Sequence, residues 1–296
     1  MNPTPAQPGQ TGRTVGILLF LAALVNFATF DAAMKQMLLT YPAPFLNVMR
    51  YLTVGLIAVA LLVRHRRPLR ECAPPPYRML LLARGVALGT VGTCFMTALI
   101  WMPLSEATAI YFMSPLLVVA MSPWMLGEQV GRAQWLAVTV GFVGMLLVVR
   151  PSADLPWLGT VLMVMAAVSY ALFLVLTRQL AGKVAAEVQY ATTALICLVV
   201  TAVPVPFFLP EPWPSMGGML LIIGVCATNG LGQVLLIAAF QRVEASTLAP
   251  FNYCHLIMAV AFSTFWFGRP PDAWALGGMA CIIAAGVFLA TRRRLG

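Results

Sequence analysis

Three ionisable side chains lie well inside long apolar runs, where an unneeded charge would be costly. Asp31 is the only acid in such a position, and Lys35 follows four residues later on the same face of a helix. The two could form an ion pair near the end of the helix, or they could gate and recognise a zwitterion. His255 could be a packing residue, a ligand contact or a proton site, because imidazole titrates near neutral pH. The shallower Arg50 could extend toward polar surroundings or bind a carboxylate.

Neutral polar and aromatic side chains in the same runs could complete a site for an amphipathic solute. They are Asn26, Ser114, Asn229, Gln233, Asn252, Phe27, Phe30, Phe95, Tyr111, Tyr170, Phe173 and Tyr253. Aromatic rings stack on indole or phenyl groups, and a few polar groups in an apolar pocket orient the solute. The same residues are equally suited to helix packing. Pro115 and Pro250 lie inside apolar runs and predict helix kinks.

The chain offers little for catalysis. Its nine acids and two histidines are scattered, with no HExxH motif and no Ser/His/Asp grouping. The six cysteines form no CxxC pair, and no phosphate-binding P-loop is present. We therefore expect no enzyme activity, no metal, no cofactor and no ATPase subunit; a membrane-embedded enzyme is the least favoured alternative.

The composition explains where these side chains sit. The 296 residues are 61% hydrophobic and 9% charged, whereas a soluble domain carries about 25% charged residues. The chain is therefore an integral membrane protein, and a membrane-spanning helix needs about 20 apolar residues. Ten such runs are present, at 14–37, 44–63, 78–101, 104–126, 133–150, 156–180, 185–209, 216–241, 244–267 and 272–292.

Basic residues predict the orientation of these helices. With the N-terminus in the cytoplasm and ten crossings, most of the 18 Lys and Arg residues fall on the cytoplasmic side, Arg84 among them. Lys35, Arg50, Arg150 and Arg269 fall toward the other side. Both termini are then cytoplasmic, and the net charge of +9 fits anionic membrane lipid rather than nucleic acid.

The two halves of the chain resemble each other. The stretch Ala23-Leu24-Val25-Asn26-Phe27 corresponds to Ala166-Ala167-Val168-Ser169-Tyr170, Phe30 to Phe173, and Gly92 to Gly232. Five spans in each half is an odd number, so the second repeat is inverted in the membrane. This predicts two inverted five-helix repeats, 14–150 and 151–292, between a flexible tail 1–13 and a basic tail 293–296. Inverted repeats place a solute site between the halves, near the middle of the membrane.

The chain resembles the EamA-type branch of the drug/metabolite transporter superfamily over nearly its whole length. The resemblance rests on ten spans, Ser114-Pro115-Leu116, Leu126-Gly127-Glu128 and Gly141-Phe142-Val143-Gly144. Gly268-Arg269 departs from the family's usual Gly-Glu. The resemblance implies a secondary transporter of the bacterial inner membrane that exports or exchanges small metabolites, and it is greatest to aromatic amino-acid exporters. Transport of a drug cation or nucleotide sugar, or a non-catalytic channel, remains the alternative; the oligomeric state stays open.

Overall fold

The computed structural model describes residues 10–64, 75–127, 129–149, 155–181, 183–240, 242–243 and 248–292. Regular secondary structure in these ranges is helical throughout. The helices are α1 (Gln10–Met37), α2 (Ala43–Arg64), α3 (Arg78–Ala98), α4 (Leu104–Tyr111), α5 (Ser114–Leu126), α6 (Arg132–Val149), α7 (Trp157–Leu180), α8 (Ala186–Ala202), α9 (Met216–Phe240), α10 (Cys254–Phe265) and α11 (Ala273–Arg292). The predicted tail 293–296, most of the tail 1–13, and Glu128, Arg150 and Glu244 lie outside the described residues.

Eight helical stretches are long and apolar enough to cross a membrane. They are Thr14–Met37, Arg78–Ala98, Leu104–Leu126, Arg132–Val149, Trp157–Leu180, Val188–Phe207, Met216–Leu236 and Ala273–Thr291. A shorter apolar helix covers Phe251–Phe265, and α2 is a further helix of 22 residues. The protein is therefore a multi-pass helical membrane protein.

Contacts between the helices follow a paired pattern. In the first half α3 packs on α7 and α8, and in the second half the corresponding α9 packs on α1 and α2. The pairs α2–α8 and α6–α11 each join a helix to its own counterpart. The two halves of the chain therefore exchange corresponding helix partners.

Both repeats contain a broken helix at a proline. In the first half, helix α4 ends at Tyr111 and α5 begins at Ser114, with Pro115 in the first turn of α5. In the second half a 3₁₀ turn, Ala249–Tyr253, contains Pro250 and leads into α10. Proline lacks the N–H that the preceding turn of an α-helix needs, so each break falls where the sequence places a proline. Both breaks adjoin the cavity described below.

Glycine allows two of the close contacts around that cavity. A Cβ atom at Gly92 would lie 2.7 Å from the Tyr51 hydroxyl oxygen, and one at Gly232 would lie 2.6 Å from the Phe27 ring. These two glycines occupy corresponding positions in the repeats. A larger residue at either would push an aromatic wall residue out of place.

Candidate functional site

A cavity of about 650 Å³ lies between the two halves of the protein. Its volume is within the range of small-molecule sites. Helices from both halves contribute to its wall, including α1, α2 and α3 from the first and α7, α8 and α9 from the second. Most of the predicted site residues line it: Phe27, Asp31, Phe95, Tyr111, Ser114, Tyr170, Phe173, Asn229, Gln233, Asn252 and His255, together with Pro115.

Four predicted residues lie away from the cavity wall. Phe30 and Tyr253 are buried in the apolar core, at 1% and 5% exposure. Asn26 and Lys35 are partly buried elsewhere on α1. Phe27 and Asp31, four residues apart, share the helix face that borders the cavity, and Asn26 and Phe30 are each rotated off it. Helical phase therefore separates residues that sequence proximity grouped together.

An aromatic row crosses the boundary between the halves. Phe95 meets Tyr111 edge-on with ring centroids 5.4 Å apart, and Tyr111 meets Tyr170 at 5.0 Å. Tyr170 then stacks on Phe173 at 5.7 Å. The first two rings come from α3 and α4 and the last two from α7, so both repeats build one surface on which a flat apolar group can stack.

Asp31 pairs with His255 rather than with Lys35. The Asp31 Oδ2 atom lies 3.4 Å from His255 Nε2, which joins α1 to α10 across the two halves. The Phe112 ring stacks on the imidazole with centroids 5.8 Å apart, and His255 Nδ1 is buried without a hydrogen-bond partner among the described residues. The expected Asp31–Lys35 ion pair is wrong, because a histidine distant in sequence occupies the position beside the carboxylate.

Lys35 binds backbone oxygens where α3 ends. Its ammonium donates to the Leu99 carbonyl at 2.9 Å and to the Met102 carbonyl at 2.5 Å. The Phe267 ring lies 5.6 Å from the same nitrogen. Carbonyls at a helix C-terminus carry partial negative charge and attract a cation. Lys35 therefore ties the end of α1 to the connection between α3 and α4.

Arg84 is a wall residue that sequence reasoning missed. It was counted with the cytoplasmic charges, yet it is 7% exposed and lines the cavity. Its Nε donates to Thr177 Oγ1 at 2.7 Å, and its Nη1 donates to the Gln189 carbonyl at 2.8 Å and to the Thr193 hydroxyl. These bonds join α3 to α7 and α8. The sequence did contain a signal, because Arg84 lies almost two turns into α3. A charged residue at that depth faces either the protein interior or the lipid, depending on its position around the helix.

Arg50 is also a wall residue and does not simply extend toward the surface. Its guanidinium carbon lies 5.1 Å from the Phe30 ring centroid and 5.4 Å from that of Tyr51. Its Nε is buried with no hydrogen-bond partner among the described residues. The sequence left two alternatives for Arg50, extension toward polar surroundings or binding of a carboxylate. Its place in the cavity wall is the position that the second alternative requires.

Metal-ligating side chains do not cluster in the part of the chain that the structure describes. No group of three or more His, Cys, Asp and Glu residues occurs there with the spacing to hold a metal ion. Among the described residues, the Arg, Asp and His side chains at the cavity are Arg50, Arg84, Asp31 and His255. They can recognise charged atoms of a solute.

A solute-sized cavity between the two halves of a multi-pass helical protein is the arrangement expected of a membrane transporter. The chain belongs to the EamA-like transporter family, which matches residues 14–150 and 157–292. This match divides the chain into two repeats.

Relatives of this chain include transporters of several small molecules. The chain is 29% identical over 285 residues to the pseudopaline exporter CntI of Pseudomonas aeruginosa strain UCBPP-PA14, covering 94% of this chain and 97% of that protein. It is 25% identical over 276 residues to an S-adenosylmethionine uptake transporter of Rickettsia bellii, covering 93% of each. A riboflavin transporter of Vibrio cholerae is 28% identical over 191 residues, covering 63% of this chain and 62% of that protein.

The fold also matches a solved crystal structure. The TM-score is 0.63 with 18% sequence identity, over 95% of this chain and 98% of the other. Together, the family and the apolar helices establish a multi-pass transporter of small metabolites in the bacterial inner membrane.

Proposed function

We propose that the protein is a secondary transporter that exports or exchanges small amphipathic metabolites, with aromatic amino acids as the leading substrates. The observation that carries this proposal is the cavity wall, where an aromatic row from both halves lies beside two arginines and an aspartate. A phenyl or indole group fits the row, and a carboxylate and an ammonium fit the charged residues. The fifteen side chains named from the sequence remain candidates in that role; those that line the cavity are the ones supported by position.

Alternating access between ten helices would supply the transport cycle. In this scheme α2 and the helix Phe251–Phe265 complete ten crossings with the eight longer spans, and both termini face the cytoplasm. Contacts join helices at the predicted outer end: Lys35 donates to the Leu99 carbonyl, and the Ser105 and Ser263 hydroxyl oxygens lie 3.0 Å apart. The wall extends the other way, toward Arg84 and Tyr190. These contacts support a state that faces the cytoplasm, in which an exporter receives its substrate.

Other solutes are less well suited to the wall. Two guanidinium groups against one carboxylate disfavour a drug cation, because like charges repel strongly where water is scarce. The direction of transport is not fixed by kinship, since one relative is an exporter and another an uptake transporter. We propose export because the contacts described above support a cavity that faces the cytoplasm.

The proposal is tested by transport into liposomes. Purified protein is reconstituted and the exchange of labelled phenylalanine and tryptophan is followed with and without a pH gradient. Trp124→Ala is the matched aromatic control, because Trp124 is 78% exposed and lies away from the wall, whereas Tyr170→Ala removes the central ring. Exchange that Tyr170→Ala abolishes and Trp124→Ala preserves supports the proposal. Failure across an amino-acid panel, with transport of a drug cation or sugar nucleotide, overturns the substrate.

A further inference from the structure

The cavity carries more positive than negative charge. Arg50 and Arg84 line it, and among the described wall residues the only carboxylate is that of Asp31, which already contacts His255. Two guanidinium charges therefore face one carboxylate charge in the described part of the wall. A buried charge without an opposite partner is strongly unfavourable, and intramembrane ionisable residues persist where they serve a function. The wall therefore lacks one negative charge that a solute can bring.

Arg50 is the cation whose donors are free. The Phe30 and Tyr51 rings hold its guanidinium, and its buried Nε has no hydrogen-bond partner among the described residues. A guanidinium presents five N–H groups in one plane, and this fork matches the two oxygens of a carboxylate. The ring contacts satisfy its faces and leave its edge for an oxygen anion.

Arg84 supplies a second, fixed positive charge. Its partners Thr177, Gln189 and Thr193 contribute only neutral oxygens, so they orient the guanidinium without cancelling its charge. The Phe173 ring lies 4.5 Å from its guanidinium carbon, which places the charge at the end of the aromatic row. A solute that stacks on the row therefore has a cation within reach along it.

We propose that the preferred solute bears two carboxylates and one cationic nitrogen on a small aromatic or apolar body. Arg50 binds one carboxylate, Arg84 balances the other, and Asp31 faces the nitrogen. The charges of wall and solute then cancel, whereas a simple zwitterion leaves one guanidinium unbalanced. This inference rests on the proposed transport function. It keeps the amphipathic class of substrate but places dicarboxylic derivatives of aromatic amino acids ahead of the simple amino acids.

Binding to purified protein in detergent tests the charge requirement without transport. Three ligands share one benzyl group: phenylalanine, N-propylphenylalanine and N-carboxymethylphenylalanine. The last two are similar in bulk and differ in the second carboxylate. We expect the Kd of N-carboxymethylphenylalanine to be about tenfold lower than that of N-propylphenylalanine, which is the size of one charge-assisted contact. Equal Kd values for these two ligands would overturn the inference.

Substitution of Arg50 locates the effect. Arg50→Gln should remove the tenfold preference, Arg50→Lys should retain part of it, and Arg132→Gln, an exposed arginine at the start of α6, should leave it unchanged. Arg84 joins three helices and its loss threatens folding, so Arg50 carries the test. A preference that persists in Arg50→Gln overturns the assignment. If liposomes exchange phenylalanine but the protein shows no preference for the dicarboxylate ligand, this inference is overturned and the transport proposal stands. If the protein prefers the dicarboxylate ligand but transports none of the ligands, this inference stands and the transport proposal is overturned.

Discussion

At the scale of single residues, the Asp31–His255 pair joins ionisable side chains of the two halves at the cavity. Because α1 and α10 belong to different repeats, any motion between the repeats must change this contact or carry it along. Asp31→Asn keeps a side-chain oxygen beside His255 but removes the charge. We expect exchange to slow about tenfold, the value of one charge-assisted bond. Liposome exchange measures it, and elution of an intact monodisperse protein controls for folding; an unchanged rate would remove Asp31 from the mechanism.

The same residues show how far sequence reasoning reaches. Depth in an apolar run and repeat correspondence were enough to find Asp31, Tyr170 and Phe173 as wall residues. They could not find the partner of Asp31, because His255 is brought to it only by tertiary packing. Arg84 was assigned to the membrane surface because a count of basic residues contains no information about which way a side chain turns.

At the scale of elements, Lys35 holds the predicted outer end of α1 to the end of α3. Lys35→Met keeps a similar length of apolar chain but loses both bonds to the Leu99 and Met102 carbonyls. We expect faster amide hydrogen exchange in the peptide spanning 99–107, because the local opening free energy falls by about 1–3 kcal/mol. Lys183→Met is the matched control, since Lys183 is an exposed turn residue. Equal exchange in the two variants would contradict a tether at Lys35.

Close approach of α6 and α11 gives a second prediction for elements. A Cβ at Gly278 would contact the Gly144 carbonyl and lie 2.9 Å from Val148 Cγ2, whereas one at the adjacent Gly277 meets nothing within 4 Å. Gly278→Leu should therefore destabilise the protein by about 1–3 kcal/mol through overpacking, and Gly277→Leu should not. Thermal unfolding in detergent compares the two. A similar fall in Tm for both would contradict the packing explanation, because only Gly278 lacks room for a side chain.

At the scale of the whole molecule, the sequence predicts the repeat because aromatic, small and glycine residues recur at corresponding positions in the two halves. The family match at 14–150 and 157–292 agrees with two repeats. The number of crossings was harder to read. Eight stretches satisfy both length and hydropathy, while the second half replaces one long span by a 3₁₀ turn and the short helix α10, a break that apolar composition does not reveal.

Ten crossings with both ends in the cytoplasm is the last prediction, and it concerns the whole chain. The basic residues around 64–78 and 292–294 should stay on the side where positive charge is retained during insertion. A green fluorescent protein fused after Gly296 should fluoresce, and alkaline phosphatase inserted in the turn 38–42, after α1, should be active because that turn faces the periplasm. Phosphatase inserted in 127–131, after α5, should be inactive, which supplies the matched control. Active phosphatase at 127–131, or at the C-terminus, would require a different count of crossings or the opposite orientation. A count other than five in each half would remove the inverted arrangement on which alternating access depends, and the opposite orientation would overturn the cytoplasmic placement of both ends.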